Sequence, residues 1–166
     1  MIDYLLEVEL YMQENTCCFI GHRKINETED LKEHLYATVE NLIIQEKVET
    51  FLFGSKSQFD RLCLETVTKA KDKYPHIKRV YVRAEYPNID DSYKAYLLKY
   101  YDETYFPEKL LLAGRAVYVE RNLEMINKSC FCVVYYNEIS KPITRKSGTK
   151  IALDYAIKQK RKIIAL

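Results

Sequence analysis

Thr16-Cys17-Cys18-Phe19-Ile20-Gly21-His22-Arg23-Lys24 is the stretch whose reading decides the fold. An apolar run stops abruptly at a glycine, an imidazole and two cations. The run suits a buried parallel strand, and the polar residues after it suit a turn that meets an anion. Gly21 lets a backbone approach a ligand closely. Arg23 can hold a phosphate or carboxylate through two parallel hydrogen bonds. The first strand of an open α/β sheet delivers an anion-binding turn in this way. In isolation, a tight strand-to-helix turn with a surface arginine reads the same.

Outward from that stretch, strands and helices alternate. After the first strand, Thr16–Ile20, a helix is expected from about Asp30, with Leu31, Leu35, Val39, Leu42 and Ile43 at helical spacing and Asp30 with Glu33 as a capping box. Thr50–Phe53 reads as a short second strand stopped by Gly54. A second helix runs from about Phe59 to Lys73 with Leu62, Val67 and Ala70 inward, and Pro75 ends it. Lys78–Arg83 reads as a third strand. The segment 88–112 is expected to be helical near Tyr93–Tyr100 and irregular through Phe106-Pro107-Glu108. A helix from Gly114 to Asn127 would turn Ala116, Val119, Leu123 and Ile126 inward. Cys130–Tyr136 reads as a fourth strand, Ser147–Lys160 as a helix with Ile151, Ala152, Tyr155 and Ala156 inward, and Lys162–Ala165 as a last short strand. This alternation predicts an α/β fold, a three-layer Rossmann-like domain with a mainly parallel sheet flanked by helices. Residues 1–15 read as a short acidic amphipathic extension, and 16–166 as a single domain.

The bulk composition narrows the function classes. A chain of 166 residues, 48% hydrophobic and 30% charged, suits one soluble domain with a full core. With 26 basic and 24 acidic residues the net charge is only +2, so no global field draws the chain to nucleic acid or an anionic membrane, and any anion site is local. The five cysteines show no CxxC spacing. All five are expected to be buried thiols in a reducing compartment, with Cys130 and Cys132 sharing one face of a strand. No closely spaced His/Cys set points to a metal, and no cofactor is implied. No run reaches the length of a membrane span, and the first residues lack the features of a signal peptide, so the expected location is cytoplasmic.

A parallel sheet takes its ligands at the carboxyl ends of its strands, near a topological switch point, and the unusual polar clusters all come directly after strands. Gly21, His22 and Arg23 follow the first. Gly54-Ser55-Lys56-Ser57-Gln58-Phe59-Asp60 follows the second; its amides can cradle a phosphate, and Asp60 either accepts from a ribose hydroxyl or caps its helix. Arg83 and Glu85 follow the third, at the expected mouth or as a surface ion pair. Ser147-Gly148-Thr149 opens a helix after the fourth, where free amides, the helix dipole and two hydroxyls suit a phosphate, with Arg145 and Lys146 above. On the helix 113–125, Arg121 and Asn122 are candidates to point back into the crevice. Fifteen tyrosines and no tryptophan are unusual. Tyr93, Tyr96 and Tyr100 fall on one helical face, suited to a core, a subunit interface or a stacked base.

These motifs resemble those of known families. Phe19-Ile20-Gly21-His22-Arg23 and the Gly54–Asp60 turn resemble the first and second turns of the DNA-processing protein A family. Val119-Glu120-Arg121-Asn122-Leu123-Glu124-Met125 and Ser147-Gly148-Thr149 resemble the Glu-Arg-Lys-x-x-Met and Gly-Thr motifs of the Lonely Guy phosphoribohydrolases. Both belong to the SLOG superfamily of Rossmann-like nucleotide-binding domains, and the Cys-Cys-Phe-x-Gly-His-Arg start is similar to that of its small bacterial and phage members. The likeness covers 17–166. It implies a nucleotide-binding domain, often dimeric. In the phosphoribohydrolases a glutamate implicated in breaking the N-glycosidic bond stands three positions after the threonine. Here that position is Ala152, and alanine does no acid–base work.

The expectation is therefore binding of a nucleotide or nucleotide-derived ligand at the carboxyl ends of the strands without catalysis, through Gly21, His22, Arg23, Gly54, Ser55, Asp60, Glu85, Arg121, Asn122, Ser147, Gly148 and Thr149. The partners are that small molecule and further copies of the chain, in a homodimer or higher homo-oligomer, with DNA less favoured and no membrane. The alternative is a nucleotide N-glycosidic-bond hydrolase in which Glu85, Asp60 or Glu120 replaces the missing acid, or His22 serves as acid or base. A second alternative is single-stranded DNA binding through the basic loop 141–146 and the tyrosines.

Overall fold

The structure, a computed structural model, describes residues 14–137 and 147–166. The amphipathic reading of the N-terminal extension and the cations Arg145 and Lys146 therefore lie outside the described residues. The elements run β1 (Thr16–Gly21), α1 (Glu29–Ile44), β2 (Thr50–Phe53), α2 (Gln58–Lys73), β3 (Lys78–Val82), α3 (Asp91–Leu97), β4 (Glu103–Tyr105), α4 (Val117–Asn127), β5 (Phe131–Tyr135), α5 (Gly148–Lys158) and β6 (Lys162–Ala165). Two 3₁₀ turns, Glu108–Leu112 and Gly114–Ala116, lead into α4.

All six strands pair in parallel, in the order β4-β3-β2-β1-β5-β6. The chain builds outward from β1 to β4 on one side, then returns to the other side of β1. That reversal makes β1 and β5 the topological switch point. It also puts α1 and α2 on one face of the sheet and α4 and α5 on the other, because parallel crossovers keep one hand. On one face α1 and α2 bury Leu35, Val39, Leu42, Phe59, Leu62 and Val67 against Cys17 and Phe19 of β1 and Phe51 and Phe53 of β2. On the other, α4 and α5 bury Met125, Ile126, Ala152 and Ala156 against Cys18 and Ile20 of β1 and Cys132 and Val134 of β5. The alternation Cys17/Cys18/Phe19/Ile20 is the two-residue period of a strand that serves both cores. The fold is thus an α/β three-layer sandwich of Rossmann-like character. Among the described residues, no helix is long and apolar enough to cross a membrane.

Several local readings change. α1 is capped by Thr28, whose hydroxyl accepts from the Leu31 amide at 3.1 Å, and not by Asp30; threonine sits two residues earlier with the extended backbone a cap requires. The segment after α3 contains β4, a three-residue edge strand parallel to β3 and too short to announce itself. α4 buries Arg121, Met125 and Ile126, while Ala116 and Val119 are exposed or only half-buried. Its inward face is rotated because it carries a charged side chain into the site. Ile151 of α5 is exposed for the same reason of phase, with Ala152 and Ala156 inward. All five cysteines are free, and Cys130 is half-buried. Cys130 packs with the α1/α2 core and Cys132 with the α4/α5 core, because Cys130 precedes β5 and escapes its alternation.

Candidate functional site

A crevice opens at the carboxyl ends of β1 and β2, between the first turns of α2 and α5 and the side of α4. Its walls are Cys18–Gly21 of β1, Ser55 and Ser57, Phe59 and Asp60 of α2, Asn122, Met125 and Ile126 of α4, and Gly148, Thr149 and Ala152 of α5. Its cavity volume is about 50 Å³, and it opens to solvent at the mouth. This is where an open parallel sheet places a ligand.

Two glycines shape the floor by what fills their missing side chains. A Cβ on Gly21 would lie 2.7 Å from Cβ of Phe59 and closer still to its ring carbons. The absent side chain therefore makes room for the Phe59 ring, which also stacks on Tyr135 with centroids 5.7 Å apart. Gly21 thus both packs the Phe59 ring and lines the crevice. A Cβ on Gly54 would meet the Arg121 side chain at 2.8 Å and the Met125 sulfur at 3.0 Å.

Arg121 is 6% exposed. One terminal nitrogen donates to the Gly54 carbonyl, and Nε and the other terminal nitrogen donate to Asn122 Oδ1 at 3.3 Å. Its guanidinium also lies over the Tyr118 ring, 5.7 Å from the centroid. Arg121 thus braces the second turn against α4 and brings positive charge beneath the crevice.

Asp60 is 4% exposed, and among the described residues its Oδ1 has no hydrogen-bond partner. Ser57 caps α2, accepting from the Asp60 amide at 3.0 Å, so the capping alternative for the aspartate side chain falls away. Burial pushes the Asp60 carboxyl up to about 7, opposed first by the Arg121 charge and then by the Gly54 backbone. A buried carboxyl facing a crevice with an unused oxygen is costly in a folded chain and is a mark of functional sites.

At α5, Ser147 Oγ accepts from the Lys150 amide at 3.1 Å, a serine cap as the sequence suggests. The amides of Gly148 and Thr149 stand in the first turn, where a helix offers no acceptor of its own. Thr149 Oγ1 donates to the Gly21 carbonyl at 3.1 Å, fastening α5 to the end of β1. Among the described residues, nothing lies within 4 Å of where a Gly148 Cβ would be. Ala152 lines the wall, and Asp154 pairs with Lys150 at 2.9 Å.

The remaining candidates sit at or beyond the rim. His22 Nε2 accepts from the Asn137 amide at 2.8 Å, and its ring lies 5.3 Å from that of Tyr136. Arg23 is exposed; its carbonyl accepts from the Gln58 amide at 2.9 Å. Glu85 is not in the crevice wall. The Tyr118 hydroxyl donates to it at 2.6 Å and Lys56 lies 3.5 Å away, and the Tyr118 bond foremost holds its carboxyl below the usual range. Arg83, which the sequence placed at the mouth or in a pair with Glu85, is buried and donates to the Tyr86 and Pro87 carbonyls and to Thr104, shaping the β3 turn. Tyr86, Tyr93, Tyr96 and Tyr100 form a run of ring contacts with centroids 5.6 to 6.3 Å apart, largely exposed. The crevice also includes Ser57, Phe59, Met125 and Ile126, which sequence reasoning did not assign to it. Ser57 was open to detection as a serine three residues before an acid.

Fold and site together define an open, doubly wound α/β domain with its crevice at the switch point. No family model matches the sequence, and no curated protein matches it. Among the described residues no cluster of three or more His, Cys, Asp or Glu could hold a metal ion.

Proposed function

We propose that the chain binds a nucleotide or nucleotide-derived small molecule in this crevice and holds it without breaking a bond. The observation that carries the reading is the buried, unpartnered Asp60 Oδ1 lining the same space as the first turn of α5. A bound molecule that satisfies both ends has an anionic group for the Gly148 and Thr149 amides and a hydroxyl or amino donor for Asp60. A nucleotide carries both. Asn122, Ser55 and Ser57 add polar walls, Arg121 adds positive charge from below, and His22 and Arg23 stand at the rim. The resemblance to SLOG domains supports the same ligand class. The alanine at 152 and the ion pair that occupies Asp154 favour binding over hydrolysis.

The titration of Asp60 favours a second reading. A carboxyl that holds its proton near neutral pH can deliver it to a departing base, so Asp60 is the acid an N-glycosidic hydrolase would use here.

Thermal unfolding against mono-, di- and cyclic nucleotides tests both. A ligand at a hundred times its Kd stabilises by about 2.7 kcal/mol, a shift of several degrees for a chain of this size. The shift should disappear in Asp60→Asn. Chromatography of the same samples for free base separates binding from hydrolysis. No shift with any nucleotide at low salt overturns the proposal.

A further inference from the structure

We propose that Cys18 and Cys132 are an oxidisable dithiol beneath the crevice, converted by hydrogen peroxide into a disulfide that ties β1 to β5. The two residues are register partners on neighbouring parallel strands, and their sulfurs are 3.5 Å apart. Neighbouring strands run ~4.8 Å apart, inside the range of ~4.4–6.8 Å that a disulfide spans between Cα atoms. Both thiols face the α4/α5 core, so no strand has to turn over to join them. Cys18 also borders the crevice although it is fully buried, so peroxide reaches its sulfur from the crevice side as the wall opens.

Cys18, the member of the pair that borders the crevice, is the attacking group. The Cys132 thiol beside it is the largest influence lowering its pKa, joined by Ser129 and the Arg161 charge, against burial and Asp60. Arg161 carries a buried Nε with no acceptor. Burial instead raises Cys17 and Cys63 well above the ordinary thiol value. The thiolate is the reactive form. The Cys18 thiolate attacks one peroxide oxygen, the O–O bond breaks, and hydroxide leaves with the electron pair; Cys18 becomes a sulfenic acid. The Cys132 sulfur then displaces that oxygen, its proton completing a water molecule. In sum two thiols and one peroxide give one disulfide and two waters. The sulfurs close from 3.5 Å to about 2.05 Å, which moves a wall residue of the crevice.

The test is peptide mapping by mass spectrometry after the folded protein is treated with hydrogen peroxide, quenched and alkylated. The expected product is a Cys18–Cys132 linked peptide pair lighter by two hydrogens, assigned by fragmentation and reversed by dithiothreitol. Cys63→Ser and Cys130→Ser should still form it. Cys132→Ser should stop at a Cys18 sulfenic acid that dimedone traps. The proposal is overturned if Cys18 and Cys132 both remain alkylatable while Cys130 is oxidised, or if Cys18 bridges to another cysteine instead. Neither result bears on whether a nucleotide occupies the crevice.

Discussion

Asp60 stores a free-energy cost at the centre of the crevice, and its sign can be worked out. Its pKa of about 7 in the folded chain lies above the ordinary 3.8. The folded state therefore keeps a proton that the unfolded state has released, and stability falls as pH rises from about 4 to about 7, with the full cost present above that. At 1.36 kcal/mol per pKa unit the cost is at most about 4 kcal/mol. Asp60→Asn should thus raise Tm at pH 8, leave it little changed near pH 4.5, and flatten the slope between. Melting curves across that range check it; a Tm equally changed at both ends would show that the carboxyl does not titrate in the fold. Gly21→Ala should cost about 2 kcal/mol by overpacking against Phe59, with Phe59→Leu recovering part of the loss in denaturant titrations of the double variant. Asp60 and Arg121 were legible as polar residues in the right places. Their burial was not, because it depends on the phase of α4 and on Ser57 taking the cap. Glu85 stands outside the crevice wall, hydrogen-bonded to Tyr118, in a turn whose carbonyls Arg83 holds.

At the level of elements, the first turn of α5 has two separable jobs, capping and presenting free amides. Ser147→Ala removes the cap and should lower stability by about 1 kcal/mol. Ser147→Asp keeps a capping oxygen and adds a favourable charge to the helix dipole, yet places a carboxylate where the ligand's anion would sit. It should match the parent in unfolding and lose nucleotide affinity in titration. Equal affinity in Ser147→Asp would remove α5 from the binding site. The long elements were readable because hydrophobic period and strand composition agree over many residues. α1 and α2 are two such cases. β4 was not, since Glu103-Thr104-Tyr105 has no period of its own and becomes a strand only beside β3. Of the apolar set Ala116, Val119, Leu123 and Ile126 expected inward, Ile126 is buried and Leu123 half-buried, while Ala116 and Val119 are exposed and Arg121 and Met125 take their place in α4.

For the whole molecule, the decisive property is that every strand pairing among the described residues is parallel and spans a crossover. β1 and β5 lie inside the sheet with both faces covered. β4 and β6 are its edges, three and four residues long. Short, charged edges resist pairing with other chains, and Glu103 and Lys162 supply that charge. Native-state hydrogen exchange should show the amides of β1 and β5 opening only with global unfolding and those of β4 and β6 opening earlier. Uniform protection across the sheet would contradict this. The parallel topology itself was legible from the alternation of strands and helices; the strand order came only with the structure, since nothing in the strand sequences says that β5 returns beside β1.

The two filled glycines have a consequence for how such a protein can change. Gly21 with Phe59, and Gly54 with Arg121, interlock like keys: a substitution at one member is accepted only with a matching change at the other. Gly148 has no such interlock among the described residues. A lineage built on this domain would therefore hold its foundation nearly fixed while its mouth drifted. Chains sharing the paired floor but differing at the mouth would be heirs to one architecture with separate tastes in what they bind.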